Sequence, residues 1–288
     1  MANLNPKDTW SPQVLGSHPL FWPLIPDAVN FVESFNQWPA LSDYQKYLDH
    51  TVQPITTRSQ QPLAIVPQGE NPQQFSDGYE PRIFLKGELQ TRQASWHDFF
   101  QVLVWKLFPK TKSILNELHF NAIKDRMYSS STPQQRTILE NTLTQFDECG
   151  GIIISTDDEL LKMIQQFDWH SLFWKNRSRL EQQLKCIVFG HAIYEKALNP
   201  YIGLTSHCIL LNVPQNIFLA RTKKLMEHID TRLEALFTDG SSVRCPQDLS
   251  PFPILGLPGW HPGNNQESFY ENKEYFRPGR KQKNQFPV

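Results

Sequence analysis

Between Thr91 and Ile123 the chain reads TRQASWHDFFQVLVWKLFPKTKSILNELHFNAI, and no other stretch restricts the fold as tightly. Ser95 is a favourable helix N-cap, with Asp98 three residues on in the capping-box position. From Trp96 to Phe108 the residues are apolar on nearly every side, which is the pattern of a buried helix. The exceptions are His97, Asp98, Gln101 and Lys106. At helical spacing the first three share one side and Lys106 points the other way. A buried helix therefore carries a short polar stripe, and its groups need partners from elsewhere in the chain. Pro109 disfavours helix at Phe108 and opens a second helix, Lys110 to about Met127. On it Leu115, Leu118 and Ala122 form the apolar stripe, with Lys112, Asn116 and His119 in a row beside it. The plainer alternative is that Asp98 only caps its helix and that both histidines are satisfied core residues.

Bulk properties narrow the setting. The 288 residues suffice for one large domain or two modest ones. A net charge of −1 gives no global case for nucleic acid or an anionic membrane. Aromatics at 12%, with eight tryptophans, argue for a real core. Cys149, Cys186, Cys208 and Cys245 show no metal spacing and read as free thiols. With no signal peptide and no membrane-length apolar run, a soluble cytoplasmic protein is expected.

The expected architecture is α+β and predominantly α-helical. A helical core over residues 81–237 is built around helices at 96–127, 133–148 and 178–198, with a small β-sheet. Long wrapping ends flank it, Pro/Gln/Asn-rich over 1–80 and Pro/Gly-rich over 238–288. Short helices are predicted at Pro26–Phe35 and Leu41–His50, strands at Pro62–Gln68, Ile152–Ser155 and Cys208–Val213, and a strand or hairpin at Ile83–Thr91 with Gly87 at a bulge or turn. Thr132-Pro133 reads as the start of the helix ending at Glu148, and Thr156 with Glu159 as a capping box. Gln215–Phe237 reads as one charged amphipathic helix.

Two further patterns carry potential chemistry. In the helix expected over 178–198, Leu184, Val188, His191, Glu195 and Leu198 fall on one face, which sets His191 and Glu195 one turn apart among core leucines. Such a pair binds one metal, works as an acid–base pair, or is simply a hydrogen bond at the rim of the core. Asp147 and Glu148 lie in the last turn of a helix, where the macrodipole disfavours carboxylates by about 0.3–1 kcal/mol each. Either the chain needs them there, or Asp147 pairs with a cation and Glu148 is solvated. No Walker loop, GxGxxG, HExxH or GxSxG is present.

The segments SWHDFF, FPKTKxxLNxLH, LTQFDECG, FGHAIYEKAL, PYIGLT and the closing PFPILGLPGW…FRPGR occur in order from about residue 80 to 280. In these the chain resembles the bacterial family called domain of unknown function 3025. The resemblance implies a cytoplasmic protein and brings no activity, ligand or catalytic residue with it. Trp96, His97, Asp98, Lys112, Asn116, His119, Asp147, Glu148, His191 and Glu195 fall on the family's pattern.

Two readings of function follow. In the first, the protein is a metal-dependent hydrolase acting on a phosphoester or similar anionic substrate. His97, His119, Asp147 and His191 would hold a divalent metal ion, and Asp98, Glu148 and Glu195 would supply acid–base chemistry. Arg92, Lys112, Asn116 and Arg136 would bind a small anionic ligand. In the second, the same groups are a buried hydrogen-bond network in a non-catalytic binding or structural protein. Its contacts to a protein partner would be FWPLIP and LPGWHPGNN. Nucleic-acid binding rests only on the basic tail (Arg277, Arg280, Lys281, Lys283) and is the weakest reading.

Overall fold

In the computed structural model, residues 9–69, 72–129 and 134–279 are described. Short 3-10 turns lead into α1 (Ile25–Glu33) and α2 (Leu41–Asp49), and α2 packs on β1 (Ala64–Pro67). Next comes α3 (Tyr79–Lys86), which ends at Gly87 with φ +71°, a left-handed turn that favours glycine. From there β2 (Glu88–Thr91) pairs in parallel with β1. The strand expected over 83–91 is therefore half helix. Ile83 and Phe84 complete an amphipathic turn, and the alternating pattern belongs only to the residues after Gly87.

The polar-striped helix is α4 (Trp96–Leu107), capped as expected by the Ser95 hydroxyl, which accepts from the Asp98 amide at 3.3 Å. Phe99, Phe100, Val102, Leu103, Val104 and Trp105 are all essentially inaccessible. Trp10 stacks on Trp96 at 5.1 Å, so the N-terminal stretch is seated on the first turn of α4. Pro109 opens α5 (Pro109–Ser129). The start of α5 is capped from a distance by Asp230, whose carboxylate accepts from the amides of Lys110 and Thr111 at 3.1 and 2.9 Å.

Next is α6 (Ile138–Cys149), which begins later than expected. Thr137 is the N-cap and forms a capping box with Glu140, while Thr132 and Pro133 lie outside the described residues. It runs straight into β3 (Gly150–Ser155), a strand buried along its whole length. Asp157, not Thr156, caps α7 (Asp158–Gln165).

The long helix expected over 178–198 does not exist as one element. The chain forms α8 (Arg177–Gln183), β4 (Leu184–Val188) and α9 (His191–Lys196). Leu184 to Val188 pair antiparallel with β3 and are buried at four of five positions. A short apolar run matches a buried strand as well as a helix face, and here sheet pairing wins. Beyond it, β5 (Thr205–Asn212) pairs in parallel with β3. The single helix expected over 215–237 is α10 (Gln215–Phe218) and α11 (Thr222–Asp239), broken between Leu219 and Arg221. In the C-terminal wrap, β6 (Ser250–Pro253) completes a sheet of order β4-β3-β5-β6.

The fold is thus α+β and predominantly helical, with one four-stranded and one two-stranded sheet. Buried apolar residues form one cluster from Trp10 to Phe276. Of the two segments proposed as exposed contact elements, Phe21 and Leu24 are buried, as are Leu257 and Asn264, while Ile25, Pro26, Gly259 and Pro262 are exposed. The two ends meet instead, with His18 Nε2 2.9 Å from the Trp260 carbonyl. Proline breaks helices without preventing burial, which is why these stretches looked like surface. Arg277 bonds through Nε to the Glu274 carbonyl, while Arg280, Lys281 and Lys283 lie outside the described residues. The four cysteines are free thiols. Among the described residues no helix is long and apolar enough to cross a membrane.

Candidate metal centre

Three helix ends converge. The first turn of α4 supplies His97 and Asp98, the last turn of α6 supplies Asp147 and Glu148, and α9 begins at His191 and carries Glu195. The approach of α9 to α6 depends on Gly190. Its amide donates to the Gly150 carbonyl at 2.8 Å, and a Cβ there would lie only 2.6 Å from the Cys149 amide nitrogen. Any larger residue would push the β4–α9 turn away from the end of α6.

The result is a tight group of three side chains that each offer one potential ligand atom. His97 Nε2 and His191 Nε2 are 3.0 Å apart. Glu148 Oε1 is 3.9 Å from His97 Nε2, and Glu148 Oε2 is 3.6 Å from His191 Nε2. Ligand bonds of about 2.0–2.2 Å place neighbouring donors roughly 3–3.5 Å apart around one divalent ion, so two imidazoles and a carboxylate at these separations can hold one ion with small adjustments. The chemistry of the set, two borderline nitrogen donors and one hard oxygen, suits zinc, manganese or iron(II). Of the described residues, these are the His, Cys, Asp or Glu side chains that come together in this way.

Behind each histidine stands a carboxylate. Glu195 Oε2 is 3.0 Å from His97 Nδ1, which fixes the ring and leaves Nε2 pointing at His191. Asp147 Oδ2 is 3.8 Å from His191 Nδ1. Asp147 itself is gripped by Lys112, whose ammonium also donates to Gln101 Oε1 at 3.1 Å. Gln101 in turn donates to the Tyr79 hydroxyl at 3.1 Å. Arg92 forks onto Asp98 at 3.0 and 2.7 Å, with its backbone amide on the same carboxylate at 2.6 Å. Asn116 donates to the Glu80 carboxylate at 2.7 Å.

These environments set the protonation states. The hydrogen bond to Glu195 raises the His97 pKa against the opposing effect of burial. Burial drives His191 the other way, down to about 3, so it is neutral at physiological pH. Burial raises Glu148, and the nearby Asp147 charge adds to that. Burial also acts to raise Asp147, but the charge of Lys112 and its hydrogen bond outweigh it and the net direction is down. For Asp98, burial is likewise overcome by Arg92.

The three converging groups line one wall of a cleft of about 720 Å³. Of the residues expected to bind metal, His97 and His191 contribute directly and Asp147 stands behind His191. His119 lines the same cleft but is not one of the three, and its buried Nδ1 has no hydrogen-bond partner. Glu148, expected as an acid–base group, is the third of the converging side chains, and Glu195 is the carboxylate behind His97. Asp98, Arg92 and Arg136 line the cleft, whereas Lys112 is buried on Asp147 and Asn116 on Glu80. The sequence reading missed Tyr79 and the Arg126–Glu140 pair, bonded at 2.9–3.1 Å across the cleft wall. Arg126 sits in the polar last turns of α5 and gave no pattern. Glu140 was legible as the third residue of a capping box.

The family model described as protein of unknown function (DUF3025) matches residues 63–280. The chain belongs to this family. The match covers every element that builds the centre, from β1 through α9 to the C-terminal wrap. No curated protein and no solved structure gives a significant match.

Proposed function

We propose that this DUF3025 protein is a divalent-metal-dependent hydrolase whose metal is held by His97, His191 and Glu148. The observation that supports this most is the convergence of two Nε2 atoms and a carboxylate at 3.0–3.9 Å on the wall of a cleft. The two Nε2 atoms are 3.0 Å apart, within hydrogen-bond distance of each other. His97 takes up protons readily because Glu195 stabilises its charged form, and His191 stays neutral and accepts. His97 Nε2 and His191 Nε2 would each offer a lone pair to a divalent cation, and binding would then release protons. When bound, it would activate water and polarise the bond to be broken. Glu195 holds His97 in the ligating orientation, whereas Asp147, 3.8 Å from His191 Nδ1, is near that ring but beyond hydrogen-bond distance. Three protein donors, His97, His191 and Glu148, would hold the ion and leave it able to bind water and substrate.

The test is hydrolysis of a panel of amides, esters and phosphoesters before and after chelation, with zinc, manganese or iron(II) restored one at a time. Activity lost on chelation, restored by one metal and absent in His191→Ala is the expected result. Metal-independent activity, or none with any metal, contradicts the reading.

A second reading has its own observation. His97 is already hydrogen-bonded at both ring nitrogens, to Glu195 and to His191. That is what a closed structural network in a binding protein would show. It requires that the protein bind no metal tightly.

A further inference from the structure

The charges around the cleft bear on which substrate it takes, an inference that rests on the hydrolase reading above. Three arginines line it. Arg92 is forked onto Asp98, and Arg126 onto Glu140 at 2.9 and 3.0 Å. Lys112 is buried against Asp147. Each of these cations already has a carboxylate at contact distance. Asp77 and Glu80 add negative charge to the same wall, where Asp77 accepts from the Gln73 and Gln74 amides and Glu80 from Asn116. A phosphomonoester dianion entering here would meet carboxylates and few unmatched donors. Cleft walls that hold phosphate present the opposite, an excess of cations and N–H groups.

One cation differs. Arg136 lines the cleft with its guanidinium on the Thr144 hydroxyl, a neutral partner, and forms no ion pair with any described residue. It lies just before α6, the helix that ends in Glu148. Gln68 and Gln90 supply uncharged donors and acceptors along the wall.

We propose that the substrate is an acyl compound, an amide or ester with a neutral scissile carbonyl, that carries a single carboxylate bound by Arg136. In the reaction the oxygen of water bonds to the carbonyl carbon. The bond to the leaving nitrogen or oxygen breaks, with its electron pair staying on the leaving atom. The proton given up by water ends on that atom, so no oxidant, reductant or further reactant is needed.

The test is calorimetric binding to the metal-loaded full chain, whose metal content is measured first. The probes are acetohydroxamate, a series of ω-carboxy hydroxamates of increasing chain length, and inorganic phosphate. One member of the carboxylated series should bind at least about tenfold more tightly than acetohydroxamate, the worth of one charge-assisted contact. Phosphate should bind more weakly than either. Arg136→Gln should keep its metal and lose the tenfold preference while still binding acetohydroxamate. Phosphate binding more tightly than the hydroxamates, or a preference unchanged in Arg136→Gln, overturns the proposal and leaves the metal site standing. A wild-type protein that retains no metal overturns the underlying reading, and this one with it.

Discussion

The Nε2 atoms of His97 and His191 face each other at 3.0 Å although the residues lie 94 positions apart in the chain. The arrangement is held from outside, because Glu195 takes the far nitrogen of His97 at 3.0 Å and so dictates which way the near one points. Replacing Glu195 by Gln should weaken metal binding by about 10–100-fold, the usual cost of losing the group that orients a ligating histidine. Thermal stability should hardly change, because the Glu195 side chain is 42% exposed. Metal titration followed by calorimetry on the two proteins checks this. Equal affinities would remove Glu195 from the centre.

Lys112 and Asp147 form a buried ion pair, the two side chains being 4% and 12% exposed. Lys112→Met should lower unfolding stability by about 3–5 kcal/mol, because it leaves the Asp147 charge without its partner. Adding Asp147→Asn to Lys112→Met should recover much of that loss. Denaturant unfolding of the two single variants and the double variant reads it directly. Strictly additive losses would show that the pair is not coupled.

Gly190 admits no side chain against the end of α6. The structure expects Gly190→Ala to cost about 1–3 kcal/mol from overpacking and to shift His191 off the metal position, so that metal affinity falls with stability. A variant as stable as wild type that binds metal equally well would mean the β4–α9 turn has more freedom than the contact allows.

Glu140 gives the pH dependence. Burial acts to raise its carboxyl, but hydrogen bonds from Arg126 and from Thr137 outweigh that and hold it below the ordinary range. A depressed folded value means the stabilisation is complete above the unfolded carboxyl's value of about 4.3 and drains away as pH falls through the lower folded value. Glu140→Gln should therefore be less stable than wild type at pH 7, and the gap should close as pH drops below about 4. A gap that stays constant down to pH 3 would show that ionisation of Glu140 contributes nothing.

The polar stripe His97, Asp98 and Gln101 was visible in the sequence because α4 is a long, strongly periodic helix, and interruptions of such a pattern stand out. The row Lys112, Asn116 and His119 was visible for the same reason, and all three are buried. His191 was singled out through a helix that does not exist. Its supposed line with Leu184 and Val188 belongs half to β4, and only His191 and Glu195 share the short α9. Sheet pairing with β3 decided that segment, and a partner 33 residues away leaves no trace in local periodicity. That His97 and His191 belong to one site was expected from the sequence, but that Glu148, rather than His119 or Asp147, is the third group beside them was not legible, since it depends on how three helix ends pack. A sign was present in FGH, where Gly190 precedes the histidine, but a glycine's reason is clear only once its neighbour is known. The proline-rich ends misled because the composition of a surface loop also suits a chain that wraps and buries its aromatics.

The most direct measurement of the central claim is the metal content of the full chain purified without a metal-affinity tag, by elemental mass spectrometry, beside His97→Ala and His191→Ala. The account predicts close to one equivalent of zinc, manganese or iron in the wild type and almost none in either variant, with both variants still folded. A wild-type protein free of metal that takes up none on dialysis, with both variants only less stable, would contradict it and leave the cluster as a packing network.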